Sequence, residues 1–130
     1  MTQAAIAIIR QGDKFLAIKR SQTVRAPGKI CFPGGGVEAG ETFEQAVVRE
    51  LREELGISIE PVRRIWNSVT AWDVEVCWIL AEIIGDDEIQ PDKEEVEWYR
   101  WMDCDELKHS DLLPSNADFL NALTDGQFKL

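Results

Sequence analysis

Apolar and polar residues alternate over 14–19 and again over 97–102, an apolar run precedes the first of these, and a helical period of 3.6 occupies the stretch between 43 and 55. Residues 3–10 are rich in Ala and Ile, residues 14–19 alternate, and Gln11-Gly12-Asp13 between them is a turn signal. This predicts an opening β-hairpin that aims Lys19 and Arg20 toward the helix. Residues 21–28, with Pro27-Gly28, predict a loop and residues 29–32 a short strand; Pro33 followed by Gly34, Gly35 and Gly36 predicts a turn. Thr42 is a candidate N-cap, with Gln45 three residues later completing a capping box. The helix it opens runs for about 13 residues from Phe43 and ends where Gly56 suits the left-handed C′ position. β-Branched and aromatic enrichment predicts strands over 57–68 and 73–84, joined at Trp72-Asp73. A last strand over 97–102 directs Trp101 into the core. Residues 103–109 predict a helical turn, and Ser115 after Pro114 predicts a cap for a closing helix over 116–124 that buries Phe119, Leu120 and Leu123.

On the first helix Val47, Leu51 and Leu55 form one apolar stripe. Glu50, Glu53 and Glu54 fall together on the adjoining face, and Arg49 and Arg52 point elsewhere. Glutamates three and four apart repel by roughly 0.2–0.5 kcal/mol per pair, so the grouping works against the helix unless a cation sits among them. Oxygen ligands of this kind suit magnesium, with manganese as the alternative. For an arbitrary glutamate trio a solvated acidic face is the plainer reading. Here the wider spacing decides.

Residues 35–57 read glycine, five residues, Glu, seven residues, then Arg-Glu-Leu-Arg-Glu-Glu-Leu-Gly-Ile. At every position this resembles the box of the Nudix hydrolases. The resemblance implies an α/β fold with a mixed β-sheet between α-helices. It also implies metal-dependent cleavage of a diphosphate linkage in a nucleoside diphosphate joined to another group. Glu50, Glu53 and Glu54 match the family's metal-binding glutamates, Glu41 matches the glutamate ahead of the helix, and Arg49 matches the arginine that orients the glutamates by pairing. Either Glu50 or Glu53 is the expected general base. The segments from Arg20 and Lys29 through Phe32-Pro33-Gly34-Gly35, and from Trp101 to Asn116, resemble the MutT-type nucleoside triphosphate pyrophosphohydrolases within that family. This implies that Arg20, Lys29, Gly34 and Gly35 meet substrate, that Asn116 reads a purine edge, and that Glu95 approaches the metal. The implied reaction converts a nucleoside triphosphate, such as the oxidised purine 8-oxo-dGTP, to monophosphate and pyrophosphate. Two enzymatic alternatives are a coenzyme A diphosphatase, which Arg20-Ser21, Arg25, Gly28 and residues 31–35 resemble one residue short, and an enzyme for ADP-ribose or another nucleoside diphosphate derivative. An alternative of another class is a nucleotide-binding module without turnover, which the intact set of box glutamates disfavours.

Composition narrows the partners. One domain over residues 1–130 is large enough to bury roughly two thirds of its unfolded surface. A formal charge of −10 argues against a nucleic acid polymer as partner. Residues 1–29 nevertheless carry a net +5, a basic segment leading into the acidic helix, as an anionic small-molecule substrate requires. Cys31, Cys77 and Cys104 lack metal or redox spacing and read as reduced thiols; with no apolar run of membrane-spanning length, a cytoplasmic location is expected. His109 has no nucleophile at a supporting spacing and reads as a surface residue.

Overall fold

The computed structural model describes residues 2–130. The strands are β1 (Thr2–Ile8), β2 (Arg10–Gln11), β3 (Lys14–Arg20), β4 (Ile30–Cys31) and β5 (Gly34–Gly36), followed by helix α1 (Phe43–Leu55). β6 (Ser58–Val69), β7 (Val74–Ile84), β8 (Val96–Met102), α2 (Cys104–Lys108) and α3 (Pro114–Thr124) complete the order. One sheet runs β5-β1-β7-β6 and is mixed, since β1 and β7 are parallel. The second is antiparallel, with β3 paired to β2, β4 and β8.

Alternation along the strands supplies two cores. Ala5, Ala7, Leu16, Ile18, Cys77 and Ile79 face one way and pack with Val47, Leu51 and Leu55 of α1. Their neighbours Ile8, Phe15, Ala17, Val76 and Trp78 face the other way and meet Phe119 and Leu120 of α3. Both faces of the central strands are therefore covered, which is why they read as apolar throughout. Val47, Leu51 and Leu55 are each 0% exposed, and burial of this kind contributes about 1.5–3 kcal/mol per side chain before chain ordering is charged against it.

The expected hairpin is real only at β2 and β3, where Arg10 pairs with Phe15 and Gln11 with Lys14. β1 continues into the other sheet, because its two apolar faces must serve both cores. The glycine turn is corrected more sharply: Gly34–Gly36 is a strand on β1, with Gly36 opposite Ala4 and Gly34 opposite Ile6. A Cβ on Gly34 would stand 2.2 Å from the Ala5 carbonyl oxygen. Glycine here permits close strand approach, not chain reversal. At the C-terminal side the closing helix begins at Pro114, with Leu113 at the cap position and no side-chain cap bond, so Ser115 lies inside it. Proline at the first helical position has no N–H to leave unsatisfied. Leu123 and Trp101 are only half-buried, whereas Trp78 is fully buried and Trp72, at the β6–β7 connection, is 88% exposed.

Candidate active site

Helix α1 is held at both ends by its own sequence. Thr42 accepts a hydrogen bond from Gln45 N while the Gln45 side chain accepts from Thr42 N, and Gly56 closes the helix at φ 67°. These local bonds set where the helix begins and ends, and the buried stripe of Val47, Leu51 and Leu55 fixes its rotation and with it the direction in which Glu50 and Glu54 leave. Glu54 is 7% exposed, and its Oε1 accepts from Gly34 N at 3.0 Å. Glu50 lies against Gly35 so closely that a Cβ there would stand 2.5 Å from its carboxyl carbon. Gly35→Ala is therefore expected to displace Glu50 and to lower turnover by about 100-fold with the fold retained, as steady-state assay and circular dichroism would show.

Arg49 does not point away from the acidic face as the helical projection suggests. Its side chain is long enough to turn back along the helix. Nε and Nη2 donate to the two oxygens of Glu41 at 2.8 and 2.9 Å, Nη1 reaches Glu50 Oε1 at 3.0 Å and Glu53 Oε2 at 3.2 Å, and Nη2 also reaches Gly36 O. The Arg49 hydrogen bonds, helped by the Glu38 N–H, hold the Glu41 carboxyl down to about 2. An acid held so low is no proton acceptor near neutrality. Arg49 thus joins Glu41, Glu50 and Glu53 into one hydrogen-bonded cluster.

A cavity of about 160 Å3 gathers Glu50, Glu54 and Glu95 with Arg20, beside the glycines of β5 and the apolar side chains of Ile18 and Val24. Burial pushes both Glu50 and Glu54 upward. For Glu54, held well above the ordinary carboxylate range, the charges of Glu50 and Glu95 add to the effect of burial, while the Gly34 N–H and Arg20 partly offset it. Arg20 Nε donates to Arg25 O at 2.6 Å, which folds the 21–28 loop over its side chain. A larger cavity of about 430 Å3 between α2 and α3 contains Lys108 and Asp111 but none of these groups.

The other expected residues fall outside this cavity. Glu53 sits at the rim, half exposed and turned to Arg49. Among the described residues no three metal-ligating side chains are drawn together into a finished cation cage. Lys19, sent by alternation to the face opposite Arg20, pairs with Glu97 at 3.0 Å, and Lys29 pairs with Asp111 at 2.7 Å; neither lines the cavity. Asn116 is 1% exposed; its Oδ1 accepts from Phe32 N at 2.8 Å and its Nδ2 reaches Ser115 Oγ. That amide fastens α3 to the chain beyond β4 and does not line the cavity. His109 is exposed at the end of α2, with Nδ1 against Asp105 O. Ile18, Val24 and the buried Ser21 had no signal in spacing, since tertiary folding alone brings them to the glutamates.

Known proteins resemble this chain over most of its length. A family model described as the NUDIX domain matches residues 1–123. The chain is 36% identical over 110 residues to the NAD-capped RNA hydrolase NudC of Stutzerimonas stutzeri (strain A1501), covering 82% of this chain and 38% of that protein. It is 47% identical over 57 residues to the 8-oxo-dGTP diphosphatase of Escherichia coli (strain K12), covering 43% of this chain and 44% of that one. It thus spans less than half the length of either curated relative. The crystal structure of a MutT protein from Methanosarcina mazei Go1 superposes with a TM-score of 0.76 at 26% identity, covering 98% of this chain and 96% of that chain.

Proposed function

Because this chain belongs to the Nudix family, we propose that it is a divalent-metal-dependent pyrophosphohydrolase. Its leading reaction is hydrolysis of a nucleoside triphosphate, such as the oxidised purine nucleotide 8-oxo-dGTP, to monophosphate and pyrophosphate. The cavity carries this reading: three carboxylates and an arginine face one small space beside side-chain-free backbone. The donor set fits magnesium or manganese. It is all oxygen, and two of its members are destabilised as anions by burial and by neighbouring negative charge, a strain that a divalent cation relieves. Glu50, Glu54 and Glu95 would hold the ion, joined by Glu53 from the rim once it gives up Arg49. When bound, the ion shields phosphate charge and makes water more acidic.

The chain's own residues do the rest. Arg20 binds a phosphate oxygen, and Gly34 and Gly35 keep the backbone of β5 close to Glu54 and Glu50 along the cavity wall. Glu50 Oε1 is occupied by Arg49, so Oε2 is the atom that takes the proton from the attacking water. Lys29 and Asn116 are left out of this substrate site. The three free cysteines suit a reducing, cytoplasmic setting, and among the described residues no helix is long and apolar enough to cross a membrane.

The relative named as an NAD-capped RNA hydrolase matches more of this chain than the 8-oxo-dGTP diphosphatase does, 82% against 43%. That favours, as a second reading, a nucleoside diphosphate joined to another group. One panel separates the two. The purified protein with magnesium is offered 8-oxo-dGTP, the four dNTPs, NAD, ADP-ribose and coenzyme A, and the products are resolved. Nucleoside monophosphate with pyrophosphate, fastest from 8-oxo-dGTP, is the expected result. Preference for NAD, ADP-ribose or coenzyme A selects the second reading, and no turnover of any compound defeats both in favour of a binding module.

A further inference from the structure

Glu95 ends a connection between β7 and β8 that forms no strand or helix of its own, yet its side chain lines the cavity. Its backbone is clasped from the far side of the site. Ser21 N donates to Glu95 O at 3.0 Å, Ser21 Oγ donates to Glu94 O at 2.7 Å, and Thr23 Oγ1 donates to the same Glu94 oxygen at 3.0 Å. Ser21 is 6% exposed, one of the few buried polar residues among those described. The clasp is possible because the β3–β8 ladder slips between Lys19 and Arg20, so that Arg20 lies opposite Val96 and the chain beyond it meets the acidic loop. Irregularities of this sort re-aim side chains beside active sites.

We propose that Ser21 is a positioning residue that ties the Arg20 loop to the Glu94-Glu95 backbone and thereby holds the phosphate-binding and metal-binding sides of the cavity at a fixed separation. The proposal rests on the assignment of Arg20 and Glu95 to the site given above. Ser21 touches neither substrate nor metal; it acts through Glu95. The alternative is a serine that merely stabilises a loop, and the two differ in what happens when the Glu95 carboxylate is already gone.

The test is a cycle of Ser21→Ala and Glu95→Gln, read as Mn2+ affinity by titration calorimetry and as kcat and KM on the best substrate. Ser21→Ala is expected to weaken Mn2+ binding and lower kcat by about 10- to 100-fold, as lost outer-shell support does. In the Glu95→Gln background the same change should cost no more than about twofold, and Ser21→Thr, which keeps the hydroxyl, should recover most of the loss. Thermal stability should fall equally in both backgrounds. An equal loss of affinity and kcat in both backgrounds, or no loss in either, overturns the proposal. Wild-type Mn2+ affinity and turnover in Glu95→Gln alone would instead remove Glu95 from the site, and the role of Ser21 with it. Should Ser21→Ala fail to fold, Thr23→Val removes one bond to Glu94 O at nearly constant shape and carries the same cycle.

Discussion

Glu54→Gln is expected to abolish turnover, by about a thousandfold or more, while raising the melting temperature of the metal-free protein. Both effects come from one carboxylate. In the fold Glu54 is 7% exposed, faces the charges of Glu50 and Glu95, and receives one hydrogen bond, from Gly34 N. A glutamine keeps an oxygen for that N–H and removes the charge. Replacing a poorly compensated buried charge by a neutral isostere stabilises by about 1–2 kcal/mol, or roughly 4–8 °C in a domain of this size. The sign of the pH dependence follows from the direction of the shift. Burial raises the folded-state proton affinity above the ordinary 4.5, so at pH below 4.5 the group is protonated folded and unfolded, and the substitution changes little. As pH rises past that value the unfolded chain ionises first, the wild type loses stability relative to the variant, and the gap widens until the folded carboxyl also ionises. Magnesium should reverse the order by stabilising the wild type more. A variant that melts below the wild type at neutral pH without metal would show that the fold compensates the Glu54 charge fully, contrary to this account.

The same residue shows where the sequence was readable and where it was not. Local signals delimit α1 to the residue: Thr42 bonds Gln45 at one end and Gly56 bonds Arg52 at the other, each within one turn of helix. The strands are legible from local signals too, β3 and β8 by alternation and the central β1 and β7 by their apolar, β-branched and aromatic content. The errors arise where contact is made at long range. Gly34–Gly36 looks like a turn to any reading that weighs glycine by flexibility, and its actual use depends on Ala5 and Glu50, which sequence does not place beside it. The spacing from Trp101 to Asn116 that suggests a purine-reading amide says nothing of its partner in the fold, where Oδ1 accepts from Phe32 N, 84 positions away. Helical projection alone sends Arg49 away from the acidic face, because it treats a side chain as a vector from its Cα, whereas the family resemblance implies the pairing with glutamates that the fold contains. The Arg49 guanidinium reaches four residues because five N–H donors sit at the end of a flexible stem.

That hub makes the second large prediction. Arg49→Lys, conservative in charge, is expected to lower turnover by about 100-fold and stability by about 2 kcal/mol. A lysine ammonium has three donors around one point and cannot bind Glu41 through both oxygens while also reaching Glu50, Glu53 and the Gly36 carbonyl. With Glu50 Oε1 released, the carboxylate loses the orientation that leaves Oε2 for water. Arg52 provides the control from the same helix. Its pairing with Asp87, at 3.3 Å, joins two side chains that are each more than half exposed, so Arg52→Lys should stay within about 0.5 kcal/mol of wild type with turnover unchanged. Acid adds a signature that general damage to the helix would not produce. Because Arg49 holds Glu41 down to about 2 from an ordinary 4.5, the stabilisation from that pair is present above 4.5 and is lost as pH falls through about 2. The difference in denaturant midpoint between wild type and Arg49→Lys should therefore narrow across that interval, while the Arg52→Lys difference stays small throughout. A gap that holds constant down to pH 2 would mean that Arg49 stabilises the fold by packing its stem, and the ion-pair hub would have to be given up as the source of order in the site.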